Sequence, residues 1–181
     1  MPSRPDVDAG IADATLALLR RRGPKAVTVE AVAASSGIAK TTIYRRHRDR
    51  RDMLAAALTR VTTPDPLEPD ADAPDRLRWI ISEAVKAIDV GIGFGGLAAM
   101  LTDEDPEFNK LFRRILAEQR ADLESVIDAA EADGSFRADV DSTTFIDAVV
   151  GAVIAERART GRLSRGWEAR LFDLFWPVVR P

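Results

Sequence analysis

The sequence predicts an all-α protein made of an N-terminal three-helix domain followed by a C-terminal helical bundle. Apolar residues recur at spacings of three and four through most of the 181 residues, which is the pattern of helices that bury one face. No segment combines strict apolar/polar alternation with β-branched residues, as a half-buried strand would. Hydrophobic residues make up 46% of the chain, enough to form a core in each part. We therefore expect helices packed on helices and no β-sheet.

Breaks and caps divide the N-terminal part into short helices. Gly23 and Pro24 stop the first helix, and Thr28 is a favourable N-cap for the second. A Ser-Ser-Gly sequence ending at Gly37 breaks the second helix after barely two turns, and a further helix begins near Asp49. The predicted helices cover residues 7–22, from Thr28 to the break at Gly37, about 39–46, and from near 49 to 61.

A proline-rich segment separates the two predicted domains. Residues 62–74 contain four prolines, a density at which no helix persists. We therefore expect domains at 1–61 and 75–181, joined by a linker at 62–74. The helices expected beyond the linker cover about residues 75–90, 96–102, 105–133, 141–159 and 164–177.

Charge is distributed unequally along the chain. Residues 1–60 hold 12 lysines and arginines against 6 acidic residues, whereas the remainder holds 14 against 23. The densest basic run extends from Arg45 to Arg51. Taken alone, such a run also fits a solvated helix end. The unequal halves nevertheless indicate different partners for the two domains.

The stretch from Val27 to Leu54 has the spacing of a helix-turn-helix. Gly37 suits the backbone of a tight inter-helix turn, and Ala33 is small where two helices cross steeply. Spacing alone leaves a generic helical hairpin as an alternative. The basic run just after the second of these helices favours a helix that enters the major groove of DNA.

The same stretch resembles the tetracycline-repressor (TetR) family over about residues 8–58. The resemblance implies a dimeric DNA-binding regulator with a helical effector domain. Beyond the linker, only the length, the helical layout and a short run at 133–141 are similar. The resemblance rests on Ile11, Ala14, Leu18, Gly23, Thr28, Val29, Val32, Ala33, Gly37, Ile38, Lys40, Ile43, Tyr44, Arg50 and Leu54.

The resemblance also implies which side chains face DNA. Thr41 and Thr42 are suited to base edges or thymine methyl groups, while Tyr44 and Thr28 are suited to phosphates. Arg50 matches a basic residue that contacts phosphate at the start of the fourth helix. The residues assigned to DNA are Thr28, Lys40, Thr41, Thr42, Tyr44, Arg46, His47 and Arg50.

Three positions depart from the family pattern. Ala39 replaces the usual serine, so the third helix lacks an N-cap hydroxyl. Arg46 stands where histidine is common, and its charge suits phosphate or base contact. His47 stands where a large aromatic residue normally packs the third helix against the first, so it either packs there or points to DNA.

Two features that suggest other chemistry have simpler explanations. Residues 91–96 match G-x-G-x-x-G, but a dinucleotide site needs a preceding strand and residues 77–90 have helical spacing. We therefore expect this segment to be a flexible inter-helix connection. The chain has no cysteine and a single histidine, His47. We expect no catalytic residue, metal site or cofactor.

Two residue sets are candidates for ligand binding and dimerisation in the C-terminal domain. Aromatic and Met side chains beside the glycines suggest an apolar effector cavity. Small residues on one helix and a two-faced apolar last helix suggest a four-helix dimer interface, with a monomer and a wholly internal last helix as the alternative. The ligand candidates are Trp79, Phe94, Met100, Phe108 and Phe112. The interface candidates are Ala148, Gly151, Ala152, Ala155, Leu171 and Phe175.

These expectations combine into a ligand-responsive transcriptional regulator that is not an enzyme. We expect a homodimeric repressor that binds an inverted-repeat operator in double-stranded DNA and is released by a small apolar effector. The chain shows no signal-peptide core and no membrane span, so we expect a cytoplasmic protein. A helical protein–protein adaptor and a helical-bundle enzyme are the alternatives, and a salt-dependent DNA shift distinguishes the first from the regulator.

Overall fold

The computed structural model describes residues 4–181, which form helices joined by connecting segments and contain no β-strand in that range. The all-α prediction is confirmed. Residues 1–3 of the predicted first domain lie outside this range. The α-helices are α1 Arg4–Arg22, α2 Val29–Ser36, α3 Lys40–Arg46, α4 Arg50–Thr62, α5 Ala73–Lys86, α6 Gly93–Leu101, α7 Pro106–Ala132, α8 Ser142–Thr160 and α9 Trp167–Val179. A 3₁₀ turn covers Pro24–Ala26, and a π-helical turn covers Ala87–Ile92.

The chain forms two compact units, each built from two segments. The head unit combines the residues up to Thr63 with Asp89–Leu116. The body unit combines Pro64–Ile88 with Ala117–Pro181. The division at 63/64 falls inside the predicted linker, but α6 and the first part of α7 group with the N-terminal helices and not with the body.

The head unit is organised around α1, which contacts α2, α4 and α6. Ile11, Leu16 and Leu19 recur at helical spacing and are almost completely buried. The Thr15 hydroxyl is also buried and donates to the Ile11 carbonyl oxygen at 2.8 Å, so its polar group is satisfied inside the core.

The glycine-rich segment is helical, so our expectation of a flexible connection is wrong. A Cβ on Gly95 would lie 2.7 Å from the carbonyl oxygens of both Leu19 and Arg20, a distance that no real side chain tolerates. The Arg20 guanidinium also donates to the carbonyl oxygens of Val90 and Gly91 in the π-helical turn. The glycines therefore allow α6 to approach the α1 backbone closely.

The body unit has its own core, formed by α5, α8, α9 and the second part of α7. It includes fully buried Leu77, Ile127 and Val149, with Phe136 closing the loop after α7. The Arg137 backbone N–H donates to the Val179 carbonyl oxygen at 2.8 Å, which fixes the end of α9.

One helical stretch is long and apolar enough to cross a membrane by length and composition. It runs from Ala73 to Leu101, and 56% of its most apolar window is buried within the protein. The core helix of a soluble protein meets the same criterion, so the stretch is weak evidence for a span. Among residues 4–181, no three His, Cys, Asp or Glu side chains are grouped so as to hold a metal ion.

Candidate nucleic-acid interface

The turn between α2 and α3 is fixed by caps on both sides. Thr28 Oγ1 accepts from the Ala31 backbone N–H at 3.1 Å and begins α2. Gly37 ends α2 in the left-handed region, with φ 71°. Ser36 Oγ accepts from the Ile38 backbone N–H at 3.2 Å and donates to the Val32 carbonyl oxygen. These contacts set the direction in which α3 leaves the turn.

Helix α3 buries one face and exposes the other. Ile43 is completely buried, whereas Lys40, Thr41 and Tyr44 are exposed, Tyr44 to 54%. Thr42 is half-buried. Ala39 precedes α3 and provides no side-chain cap, as expected for a residue without a polar side chain. Five of the predicted DNA contacts therefore lie on this helix, and three of them are exposed: Lys40, Thr41 and Tyr44.

One weak ion pair links the exposed faces of α2 and α3. The Lys40 ammonium lies 3.5 Å from the Glu30 carboxylate, and both side chains are more than half exposed. The backbone N–H of Glu30, followed by the Lys40 charge, holds the pKa of the Glu30 carboxyl below its ordinary value. Because an exposed pair contributes little, Lys40 is available to a phosphate.

Arg46 and His47 lie towards α1 and not on the open face of α3. The Arg46 guanidinium pairs with Asp8, and only 17% of its side chain is exposed. His47 ends α3 and is half-buried beside α1 and α4, where it lines a cleft of about 470 Å³ with Ala12 and Met53. This placement corresponds to the packing alternative for His47.

The Arg50 side chain binds other groups of the head unit, so it is not an open ligand for a phosphate. Its Nε donates to the Val27 carbonyl oxygen at 2.8 Å, and its Nη2 donates to Pro24 and to the Asp105 carboxylate at 2.6 Å. Burial raises the pKa of Asp105, but the Phe108 backbone N–H and the Arg50 guanidinium outweigh it, so the net pKa lies below the ordinary value. Sequence reasoning did not anticipate this cluster because Asp105 is far from Arg50 in the chain.

Other arginines in the basic run are more accessible. Arg45 and Arg51 are exposed, and no ion pair within residues 4–181 involves either side chain. Arg48 is 87% exposed and pairs loosely with Asp52 at 3.4 Å. The family resemblance assigns none of these three residues to DNA.

The predicted ligand residues are divided between the two units. Trp79 belongs to the body unit, and the other four belong to the head unit. Phe108 and Phe112 are fully buried with parallel rings 5.8 Å apart, and Phe94 is 49% exposed. The two buried rings fill core space because their helical spacing places both on the same inward face of α7.

The predicted interface residues are only partly available to a partner. Leu171 is 5% exposed and lies in the body core, and Phe175 packs edge-on against Phe145 at 5.1 Å. The exposed apolar side chains of α9 are instead Leu174 and Val178. On α8, Ala152 is half-buried, and the exposed small residues are Ala148, Gly151 and Ala155.

Helices α2 and α3 of the head unit thus form a helix-turn-helix, and comparison with known families identifies the class of protein that carries it. Residues 11–57 match the family described as bacterial regulatory proteins, tetR family, and residues 93–175 match the tetracyclin repressor-like C-terminal domain. The chain belongs to the tetracycline-repressor family. Members of this family are transcriptional regulators and not enzymes.

Solved structures share this fold at low sequence identity. A TetR-family regulator from Rhodococcus sp. is 19% identical with a TM-score of 0.73, covering 96% of this chain and 98% of its own. A regulator from Saccharomonospora viridis in complex with choline is 18% identical with a TM-score of 0.65, covering 98% and 100%. FadR from Bacillus subtilis in complex with stearoyl-CoA is 16% identical with a TM-score of 0.65, covering 92% and 96%. No curated protein matches the chain.

Proposed function

We propose that this regulator is a homodimeric repressor that binds an inverted-repeat operator in the cytoplasm and is released by a small molecule. The observation that carries the DNA-binding part is the exposed face of α3. Lys40, Thr41 and Tyr44 are accessible there, and two caps and a left-handed glycine hold the helix in position.

The contacts to DNA are divided between base and phosphate. Thr41 and Thr42 read bases, because short hydroxyl side chains reach base edges and thymine methyl groups. Lys40, Tyr44 and Thr28 contact phosphates. These roles keep the assignments drawn from the sequence for the exposed residues of α2 and α3.

The internal positions of Arg46 and Arg50 change the proposed phosphate contacts. Arg45 and Arg51 replace them, because their guanidinium groups are exposed and free of ion pairs among residues 4–181. Arg46, His47 and Arg50 then serve to hold α3 and α4 in place. A direct DNA contact from Arg46 or Arg50 would require its carboxylate partner, Asp8 or Asp105, to be released.

The dimer is proposed to form through α8 and α9. Ala148, Gly151 and Ala155 leave room for a close helix approach, and a Cβ on Gly151 would meet no atom within 4 Å. Leu174 is 64% exposed and Val178 is 49% exposed on the neighbouring helix. Apolar side chains exposed in this way are typical of a surface that a partner helix covers.

The effector is proposed to act by binding one conformation of the dimer more tightly than the other. The structures solved with choline and with stearoyl-CoA indicate that this fold accommodates small molecules of different chemistry. The five apolar candidates are divided between the two units, Trp79 in the body and the other four in the head, so they do not together support one proposed effector site.

Salt dependence and one pair of variants test the DNA-binding proposal. For a dimer with about 6–10 phosphate contacts, affinity should fall about 10³–10⁵-fold between 50 and 200 mM salt. Lys40→Ala should weaken binding to all sequences and reduce the salt slope by about 1 per site. Arg162→Ala, which removes the same charge from an exposed loop of the body, is the matched control. A flat salt response, or equal losses in both variants, would exclude the proposed interface.

A further inference from the structure

We infer that the cleft between α5 and α9 in the body unit binds an organic cation that carries an aromatic or apolar group. This inference rests on the proposed effector function and names the chemistry of the effector. It differs from the apolar effector expected from the sequence, because the cleft combines aromatic rings with an excess of carboxylates.

The cleft has the size of a small-molecule site and lies entirely within the body unit. Its volume is about 690 Å³, within the range of roughly 300–1,000 Å³ typical of ligand pockets. Helix α5 contributes Trp79 and Glu83, helix α9 contributes Phe172 and Asp173, and Asp65 precedes α5.

Carboxylates outnumber cations along the cleft. Lys86 neutralises part of this charge, because its ammonium lies 2.8 Å from Asp65 and 3.3 Å from Glu83. Glu168 and Asp173 also line the cleft, and neither carboxylate has an ion pair or hydrogen bond among residues 4–181. The cleft therefore retains negative charge that an incoming cation would neutralise.

One aromatic ring of the cleft already contacts a cation that belongs to the protein itself. The Arg78 guanidinium carbon lies 4.5 Å from the centre of the Phe172 ring, and Asp75 holds the same guanidinium at 2.9 Å. Trp79 lies on the opposite helix, with its indole N–H donated to the Asp65 carbonyl oxygen at 2.8 Å. Aromatic faces attract cations through the ring quadrupole. The cleft therefore offers an organic cation both aromatic surfaces and negative charge.

Anionic and neutral ligands fit the cleft less well. Glu83 is 3% exposed and has Lys86 as its counter-charge, so an anion placed beside it would meet a poorly hydrated carboxylate. A neutral ligand would gain the aromatic contacts without neutralising Glu168 and Asp173. The charge of the ligand is therefore the property that the cleft selects.

Two isosteric probes isolate that charge. Benzyltrimethylammonium and neopentylbenzene have nearly the same shape and differ by one positive charge, and phenylacetate supplies the opposite charge. Binding is measured by calorimetry and thermal shift on the full chain. We expect the cation to bind at least about tenfold more tightly than the neutral isostere, and phenylacetate to bind more weakly than either.

Three variants test whether the preference for a cation over its neutral isostere arises in this cleft. Glu168→Gln combined with Asp173→Asn should weaken cation binding about tenfold and leave the neutral isostere unchanged. Arg78→Gln should strengthen cation binding several-fold, because it vacates the Phe172 face and removes a competing charge. Asp128→Asn, an exposed carboxylate on α7 outside the cleft, is the control and should change nothing.

The gain expected for Arg78→Gln separates a binding site from a folding defect, because a damaged fold does not raise affinity. Equal affinity for the cation and its neutral isostere, or no gain in Arg78→Gln, overturns the inference. DNA binding measured on the same preparations keeps the two proposals distinct. Operator binding without any cation preference refutes only the inference, whereas cation preference without operator binding refutes only the proposed function.

Discussion

Replacing Arg50 separates a structural role from a phosphate contact. The family resemblance implies that Arg50 contacts DNA, whereas its guanidinium donates to Val27, Pro24 and Asp105 inside the head unit. Arg50→Ala should therefore destabilise the protein before any DNA is added. A phosphate contact alone would leave the stability of the free protein unchanged.

The expected loss follows from the three hydrogen bonds and their burial. The Arg50 side chain is 30% exposed and Asp105 is 11% exposed, so this pair is screened more than a buried pair and less than a surface one. Hydrogen bonds to charged groups contribute roughly 1.5–3 kcal/mol when well buried. Allowing for partial exposure, we expect a loss of about 2–4 kcal/mol in the free energy of unfolding, or roughly 5–15 °C in Tm for a chain of this length.

Two further variants make this prediction specific. Arg50→Lys keeps the charge but lacks the planar fork, so it should retain most of the destabilisation. Arg51→Ala removes the neighbouring exposed arginine and should change stability by no more than about 0.5 kcal/mol. Thermal and urea unfolding measure all three. Wild-type stability in Arg50→Lys, or loss of DNA affinity without loss of Tm in Arg50→Ala, would refute the internal role.

The remaining predictions concern three other positions. Asp105→Asn should lower the free energy of unfolding at pH 6. The difference in stability from wild type should shrink as pH falls below about 4, because a carboxylate with a lowered folded-state pKa stabilises only while ionised. A stability difference that stays constant down to pH 3 would exclude this role of the Asp105 carboxylate. Gly95→Ala should cost about 1–3 kcal/mol in urea unfolding, because its Cβ meets the α1 backbone. Gly151→Leu should fold and yet sediment as a monomer, and dimers that persist at micromolar concentration would place the interface elsewhere.

Local signals were sufficient to predict the helix-turn-helix. Thr28 as an N-cap and Gly37 at a left-handed turn act within a few residues of their own position, so their roles are readable from the chain. The predicted ends of most helices agree with the structure to within a few residues for the same reason.

Long-range contacts account for the positions at which the structure differs from the predictions made from the sequence. The partner of Arg50 is 55 residues away, and the α1 backbone that requires Gly95 is more than 70 residues away. Nothing in the local sequence distinguishes an arginine that faces DNA from one that bonds a distant carboxylate. Likewise, the excess of carboxylates in the body cleft arises only when α5 and α9 are brought together.

Selection of bound sequences from random double-stranded DNA is the sharpest test of DNA recognition through α3. We expect the full chain to enrich an inverted repeat whose half-site centres are about 10–10.5 base pairs apart, or a multiple of that distance. Repeating the selection with Thr42→Ala should change the preferred base within each half-site, because Thr42 is assigned to base contact. Enrichment of no sequence at all, or of the same half-site by both proteins, would contradict recognition through α3.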